Sequence, residues 1–255
     1  MDEMICYAYT RGTTTDMQSL YIQKITANIL NCSIIPDDAK DICVAIAQCM
    51  LESGYELAFV VGLLGNIVRE GSVGEFENSN YNSNPKPYYL QYMDTEYNGT
   101  NYYLNNFSGK TIMDVDVLEV WNILDDLSTM TNNTFMINGR YVGFGLGCVQ
   151  WSFTRAYELA GLYLNRASKV NGKTIITRDK AIEAEVFMIL NELTSSEYDQ
   201  IICDWRNDCS NNMNSADAAA SAASMLCEEY LKPKEATEAS KRAKNARNIY
   251  SELNK

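Results

Sequence analysis

An almost wholly apolar stretch between Ser53 and Gly71, SGYELAFVVGLLGNIVREG, constrains the fold of this chain more than any other segment. From Leu57 to Val68 it leaves no polar stripe, and a helix that is apolar all round must be buried on every side. Ser53 and Glu56 have the spacing of a capping box, which predicts that the helix starts there. The stretch therefore predicts a buried central helix.

This helix is predicted to end on a carboxyl group. Gly71 can adopt the left-handed conformation that ends a helix, which leaves Glu70 in the last turn. The partial negative charge of the helix C-terminus and burial beside apolar neighbours would both raise the pKa of Glu70. A carboxyl group that keeps its proton near neutral pH is suited to acid catalysis. Glu70 is therefore a candidate catalytic residue, and the alternative is that a glutamate before a C-capping glycine is only an exposed helix end.

The composition argues against several classes of site. The chain of 255 residues has no histidine, which excludes Ser-His and Cys-His nucleophilic chemistry and the usual metal-dependent hydrolases. Its eight cysteines include no Cys-x-x-Cys pair, and we interpret them as small buried hydrophobic residues. A formal charge of −12 argues against nucleic-acid and anionic-membrane partners, which need a basic face. We expect carboxylates to perform acid–base work, with no metal and no cofactor.

The hydrophobic content of 46% is sufficient for one sizeable core. We predict a main domain at residues 35–255, preceded at 1–34 by a lead-in segment that packs on it or links to a partner. The N-terminus lacks the basic and then apolar pattern of a secretory signal, and the longest apolar run is too short to span a bilayer. We expect no signal peptide and no transmembrane segment in the chain.

A small polar lobe containing β-structure is predicted beside the helices. Asparagine and tyrosine dominate residues 72–113, where turns and extended pieces such as 88–93 are expected. Residues 131–150 complete the lobe, because alternate glycines there predict strands or loops whose backbone comes very close to another group. Helical periodicity returns from residue 151 to the end. The predicted fold is α+β and mainly α, with a buried central helix.

The last predicted helix carries four cations. Alanines recur on one of its faces, and we interpret the cations as a solvated face rather than a binding patch. They are Lys241, Arg242, Lys244 and Arg247.

Two motifs in the chain carry a resemblance to a known family. The run GNIVRE at residues 65–70 lies at the end of the predicted buried helix. The run GFGLGCVQW at residues 143–151 comes later and is followed by Arg155. Together they resemble the G-N-x-x-x-E run and the later G-x-G-L-x-Q-W segment of the phage tail lysozyme family of peptidoglycan-degrading domains. Gly71 stands where the family commonly has serine, and Cys148-Val149 lengthens the spacing before the glutamine. The resemblance covers residues 36–255 and implies a lysozyme-like fold.

By this resemblance Glu70 would be the catalytic acid. Gln150 and Trp151 would line or support a sugar cleft, and Tyr141 and Gly145 of the same segment are further candidates for substrate binding.

Breaking a glycosidic bond needs a proton for the leaving oxygen and stabilisation of an oxocarbenium-like centre. The second role has four candidate carboxylates in the polar lobe: Glu75, Glu77, Asp94 and Glu96. Asp94 is preferred, because it lies deep in the stretch expected to form the opposite wall of the cleft. The alternative is a single glutamate with a substrate-assisted or water-mediated second step.

We therefore expect a glycosidase that cuts the β-1,4 link between N-acetylmuramic acid and N-acetylglucosamine, as a muramidase or a lytic transglycosylase. Its expected partners are peptidoglycan glycan strands and, in a phage tail, other tail proteins. The expected location is the virion tail or, after lysis, the bacterial cell wall. The alternative is a non-catalytic tail, baseplate or carbohydrate-binding module with the same fold, because an acidic surface is unfavourable near an anionic wall.

Overall fold

A computed structural model describes residues 16–77, 85–231 and 238–254. The chain divides into two compact units, which we name the helical unit (residues 1–70 and 186–255) and the mixed unit (residues 71–185). The helices are α1 (Asp16–Asn31), α2 (Lys40–Glu52), α3 (Leu57–Glu70), α4 (Tyr88–Thr95), α5 (Tyr102–Asn106), α6 (Val117–Met130), α7 (Thr154–Arg166), α8 (Arg178–Leu193), α9 (Asp199–Asp208), α10 (Ala216–Met225) and α11 (Glu238–Leu253), with a π-helical turn at Leu226–Leu231.

The strands are short and antiparallel. They pair as β1 (Met136–Ile137) with β2 (Arg140–Tyr141), β3 (Gly145–Leu146) with β4 (Trp151–Ser152), and β5 (Ser168–Val170) with β6 (Lys173–Ile175). Long helices with a few small strand pairs confirm the predicted α+β, mainly α class.

Helix α3 is the buried central helix that its apolar sequence predicts. Every residue from Leu57 to Ile67 is buried, and α3 packs against α2, α10 and α11 within the helical unit. Two glycines permit very close packing. A Cβ added to Gly62 would lie 2.5 Å from the Cβ of Ala222, and one added to Gly65 would lie 2.8 Å from the backbone nitrogen of Ala246.

The predicted capping box and glycine terminus of α3 are wrong. The Ser53 hydroxyl donates to the Cys49 carbonyl at 2.7 Å and so belongs to the end of α2. The Glu56 carboxylate pairs instead with Arg206, at 2.9 Å. Gly71 follows α3 but is not left-handed. These positions were assigned by local spacing, and tertiary contacts decide their conformations.

Helix α1 lies in the segment predicted as a lead-in without sustained period. Ile22, Ile25 and Ile29 are spaced by three and four residues and are buried. The helix contacts α2 and α11 within the helical unit. Residues 1–15 lie outside the described part of the chain.

The mixed unit is more helical than predicted. Residues 88–93 were predicted to be extended, but they lie in α4, which follows Pro87. The buried positions Tyr89, Leu90 and Met93 share one helical face, and this spacing outweighs the tyrosine-rich composition that suggested strands. Helix α5 also lies in this predicted β region. Residues 131–150 do contain β1, β2 and β3.

One hairpin interrupts the region predicted to be wholly helical after residue 151. Strands β5 and β6 flank Asn171-Gly172, and both turn residues have positive φ, at 51° and 81°. Asn-Gly in this conformation is a favoured two-residue hairpin turn. The predicted stripe on α7, from Ala156 to Tyr163, is buried as expected.

A cluster of aromatic rings forms part of the core of the mixed unit. Phe76, Tyr103, Phe107 and Phe144 are fully buried, with ring centroids 5.0–5.8 Å apart. Phe76 also bridges Leu146 of β3 as an isolated antiparallel pair. The segment that follows Gly71 is thereby fixed to residues 143–151, which we name the glycine-rich loop.

Among the described residues, no helix combines the length and the apolar character needed to cross a membrane.

Candidate active site

The Glu70 carboxyl group lies at the end of α3 in an ion pair that the sequence did not reveal. Its Oε1 lies 2.5 Å from a terminal guanidinium nitrogen of Arg242 on α11. The Glu70 side chain is 19% exposed and that of Arg242 only 3%. The contact favours the ionised carboxylate, because an opposite charge at this distance stabilises it. This effect opposes those of burial and the helix terminus.

The prediction of a solvated cationic face on α11 is wrong for Arg242. This residue shares a helical face with the buried Ala246, Ile249 and Leu253, at offsets of four, seven and eleven positions. Lys241, the next residue back, is exposed and pairs with Glu238 at 2.6 Å. Reading the helical period through the charged positions would have identified Arg242 as inward-facing.

The glycine and asparagine of the GNIVRE motif build the surroundings of this ion pair. Asn66 is fully buried and donates to the carbonyls of Gly62 and Ala223, at 2.9 and 3.1 Å. Its Oδ1 accepts a hydrogen bond from Arg242 at 3.2 Å. Asn66 and Glu70 are four residues apart and share a helical face, so one guanidinium contacts both. The motif on α3 is thus linked to α10 through Asn66, and to α11 through both Asn66 and Glu70.

Other charges surround the pair within the helical unit. Glu238 lies 3.8 Å from Nε of Arg242 and also pairs with Arg69 at 3.4 Å. Hydrogen bonding from Lys241, more than any other contact, lowers the pKa of Glu238. Burial raises the pKa of Cys227, so this neighbouring thiol stays neutral. The ion pair of Glu70 with Arg242 therefore lies next to a second cluster, in which Glu238 pairs with Arg69 and Lys241.

Asp94, the preferred second carboxylate, is buried in the mixed unit, where it binds groups of the protein itself. Its side chain is 5% exposed and lies 2.9 Å from Nζ of Lys86. Its other oxygen accepts a hydrogen bond from the backbone N–H of Leu104 at 3.0 Å, which ties α4 to α5. These contacts account for a buried carboxylate without a catalytic role.

The other candidate carboxylates differ in exposure. Glu77 is buried and accepts hydrogen bonds from the Tyr89 hydroxyl at 2.6 Å and the Gly145 N–H at 3.0 Å. Glu75 is half-buried and accepts from the Ser72 N–H at 2.9 Å. Glu96 is exposed after the end of α4.

Gln150 joins the glycine-rich loop to the segment after Gly71. Its side-chain amide donates to the carbonyls of Glu75 and Gly147, at 3.1 and 3.0 Å. A Cβ on Gly71, the residue after Glu70 in the chain, would lie 3.3 Å from the Gln150 nitrogen and 3.0 Å from a Glu75 carboxylate oxygen. The structure therefore gives Gln150 a bridging position, and the absence of a side chain at 71 leaves room for both groups.

Gly145 lies where two polar side chains approach the backbone. A Cβ there would lie 2.8 Å from Oε1 of Gln150 and 3.2 Å from Oε2 of Glu77. This agrees with the expected close approach at the alternating glycines. Trp151 is 1% exposed and packs on Gly147, so its position fits support of the loop rather than contact with a ligand.

Tyr141 presents an aromatic surface in the mixed unit. Its side chain is 50% exposed, and its ring stacks on Phe153 with centroids 4.4 Å apart. The adjacent Arg140 places its guanidinium 4.9 Å from the ring centroid of Tyr88. The sequence analysis identified Tyr141 but not the stacking of its ring on Phe153 or the contact of Arg140 with Tyr88, because each contact joins two segments of the chain.

The sequence analysis missed one buried carboxylate, that of Glu185. It is fully buried in the mixed unit and accepts hydrogen bonds from Gly74 N–H at 2.7 Å, Cys148 N–H at 2.9 Å and the Tyr163 hydroxyl at 2.5 Å. Burial raises the pKa of Glu185, and these donors oppose the rise. Glu185 thereby fixes the glycine-rich loop to the segment after Gly71.

No group of three or more cysteine, aspartate or glutamate side chains within the described ranges could hold a metal ion. The buried carboxylates Glu77, Asp94 and Glu185 are instead matched to protein donors.

One of three comparisons with known proteins agrees with the family resemblance of the two motifs. Neither the curated proteins nor the solved structures gave a significant match. A family model described as Phage tail lysozyme matches residues 41–253, which include the Glu70 motif, the glycine-rich loop and Arg242. Since this match covers most of the sequence, the chain belongs to the phage tail lysozyme family.

Proposed function

We propose that this chain is a peptidoglycan glycosidase that cleaves the β-1,4 bond between N-acetylmuramic acid and N-acetylglucosamine, with Glu70 as the general acid. The observation that carries the proposal is the position of the family motif's glutamate, held at the end of a buried helix instead of extending into solvent. Membership of the family supports a lysozyme-like domain that acts on peptidoglycan. A phage tail or the cell wall after lysis is the proposed place of action.

In the proposed reaction the protonated Glu70 donates its proton to the glycosidic oxygen while the bond from that oxygen to C1 breaks. Positive charge develops at C1 and the ring oxygen. Water then adds to C1 in a hydrolase, or the sugar's own 6-hydroxyl adds in a transglycosylase. In either case the attacking oxygen loses a proton to the Glu70 carboxylate, which restores the acid.

We propose a mechanism that uses a single catalytic glutamate, without a second carboxylate. The Asp94 carboxylate is buried against Lys86 and the Leu104 backbone, and these contacts would have to break before it could stabilise a sugar cation. An Asp94→Asn variant tests this choice. Loss of activity without loss of folding would return Asp94 to the mechanism.

Tyr141 supplies the proposed sugar-stacking surface. Aromatic faces pack against the apolar faces of pyranose rings, and Phe153 beneath holds the Tyr141 ring in a fixed plane. We expect Tyr141→Ala to raise the KM for glycan strands while kcat changes little.

The decisive variant is Glu70→Gln, which keeps the size of the side chain and removes its acid proton. We expect the rate of muropeptide release from purified cell walls to fall by about 10²–10⁴-fold. The matched control is Glu56→Gln, which removes a glutamate–arginine ion pair next to the other end of α3. We expect this control to retain activity.

The same experiment decides between the proposed enzyme and its rival. Equal activity of wild type and Glu70→Gln would remove the catalytic assignment. Inactivity of both, with binding to cell walls retained, would favour the non-catalytic module, which the formal charge of −12 and the ion-paired state of Glu70 support. Mass spectrometry of the released muropeptides separates a hydrolase, with reducing ends, from a transglycosylase, with anhydro ends.

A further inference from the structure

Arg242 is a buried cation that contacts the proposed catalytic acid directly. Burying a guanidinium is unfavourable unless charge and hydrogen bonds compensate. Here the compensation comes from Glu70 at 2.5 Å, Asn66 at 3.2 Å and, at the longer distance of 3.8 Å, Glu238. Two of these three residues belong to the family's GNIVRE motif.

The orientation of Arg242 is fixed before any substrate binds. Asn66 holds one terminal nitrogen and is itself anchored to two backbone carbonyls, while the other terminal nitrogen contacts Glu70. Nε makes no hydrogen bond within the described residues. The two terminal nitrogens therefore fix the orientation of the guanidinium, because one binds Asn66 and the other binds the Glu70 carboxyl group.

We propose that Arg242 is a positioning residue, which holds the Glu70 carboxyl group in place and sets the upper limit of the pH range in which Glu70 can donate a proton. This inference rests on the proposed role of Glu70 as the acid. A neighbouring cation favours the ionised form, whereas the acid must carry a proton. Arg242 thus fixes the geometry of the acid and at the same time narrows its working range toward lower pH.

The other groups around the pair do not explain such a limit. Arg69 and Lys241 both pair with Glu238. The pKa of Glu238 is lowered, chiefly by Lys241, so this carboxylate stays ionised. The pKa of Cys227 is raised by burial, so its thiol stays neutral. Glu228, on the π-helical turn, adds a further negative charge near Cys227.

The test is the dependence of kcat on pH for wild type, Arg242→Gln and Arg242→Lys. The neutral variant removes the charge that favours ionised Glu70, so we expect the alkaline limb of its profile to move up by about 1 pH unit. The lysine variant keeps the charge and should keep the limb near its wild-type position. Arg247→Gln is the matched control, because Arg247 is an exposed, ion-paired arginine on the same helix.

An alkaline limb of Arg242→Gln that coincides with that of wild type would overturn the inference. The proposed function has a separate criterion, since it fails if Glu70→Gln is as active as wild type. A merely structural role for Arg242 would lower stability and activity without moving the limb, and thermal unfolding of each variant measures that part.

A second measurement does not depend on activity. We expect the side-chain carboxyl ¹³C signal of Glu70, assigned by its loss in Glu70→Gln, to titrate at lower pH in the wild type and in Arg242→Lys than in Arg242→Gln. Equal midpoints in the wild type and Arg242→Gln would also overturn the inference.

Discussion

The helical and mixed units each enclose a carboxylate, Glu70 largely and Glu185 fully, but they stabilise it in different ways. Glu70 in the helical unit contacts a buried guanidinium, whereas Glu185 in the mixed unit accepts hydrogen bonds from two backbone N–H groups and a tyrosine hydroxyl. A cation favours the ionised form strongly, while neutral donors only partly offset the effect of burial. The chain therefore uses one carboxyl group for proposed chemistry and the other to hold a loop.

The largest effect is expected when the loop-holding carboxylate is removed. Glu185→Ala should lower the free energy of unfolding by about 3 kcal/mol or more, because each buried donor left without an acceptor costs about 1–3 kcal/mol. Urea unfolding followed by circular dichroism measures this loss. Glu183→Ala on the same helix, where the residue forms only a surface pair with Lys180, should change stability by less than about 0.5 kcal/mol. Equal effects of the two changes would contradict the role of Glu185.

A smaller effect is expected from packing, which also differs between the units. Gly65→Ala in α3 should cost about 1–3 kcal/mol, because the new methyl group would lie 2.8 Å from the Ala246 backbone. Gly161→Ala in α7 of the mixed unit is the matched change, since its Cβ would lie no closer than 3.9 Å to Trp121. That variant should be more stable by about 0.4–1 kcal/mol. Thermal unfolding of both proteins checks the predicted opposite signs.

The smallest effect is the dependence of stability on pH. Burial raises the pKa of Glu185, so the folded state binds this proton more tightly than the unfolded state does. Its contribution to stability is complete below the ordinary glutamate pKa and is lost as the pH rises through the folded pKa. The difference in unfolding free energy between wild type and Glu185→Gln should change by at most about 1.4 kcal/mol per pH unit in that window. A constant difference across the window would contradict this assignment.

The buried helix and its terminal glutamate could be predicted because their signals are local. A run without a polar stripe leaves only a buried position for α3, and Glu70 follows from where that run ends. The helix α4 was missed because tyrosine-rich composition was given more weight than the spacing of Tyr89, Leu90 and Met93. Propensity is weaker evidence than periodicity when the two disagree.

The ionic partners could not be predicted from local patterns. The contact between Asn66 and Arg242 joins positions 176 apart, and no periodicity within one helix identifies its partner on another. Glu185 was missed because a carboxylate between apolar neighbours resembles the polar edge of a helix. Its donors come from residues 74, 148 and 163, which only the fold brings together.

The distance along the chain between Glu70 and α11 has a consequence for biosynthesis. While the ribosome has released only the earlier helices, the nascent polypeptide already contains the glutamate but lacks the arginine that holds it. The carboxyl group is therefore positioned only after α11 has been synthesised. A nascent chain that stops before α11 would carry the proposed acid without the arginine that orients it.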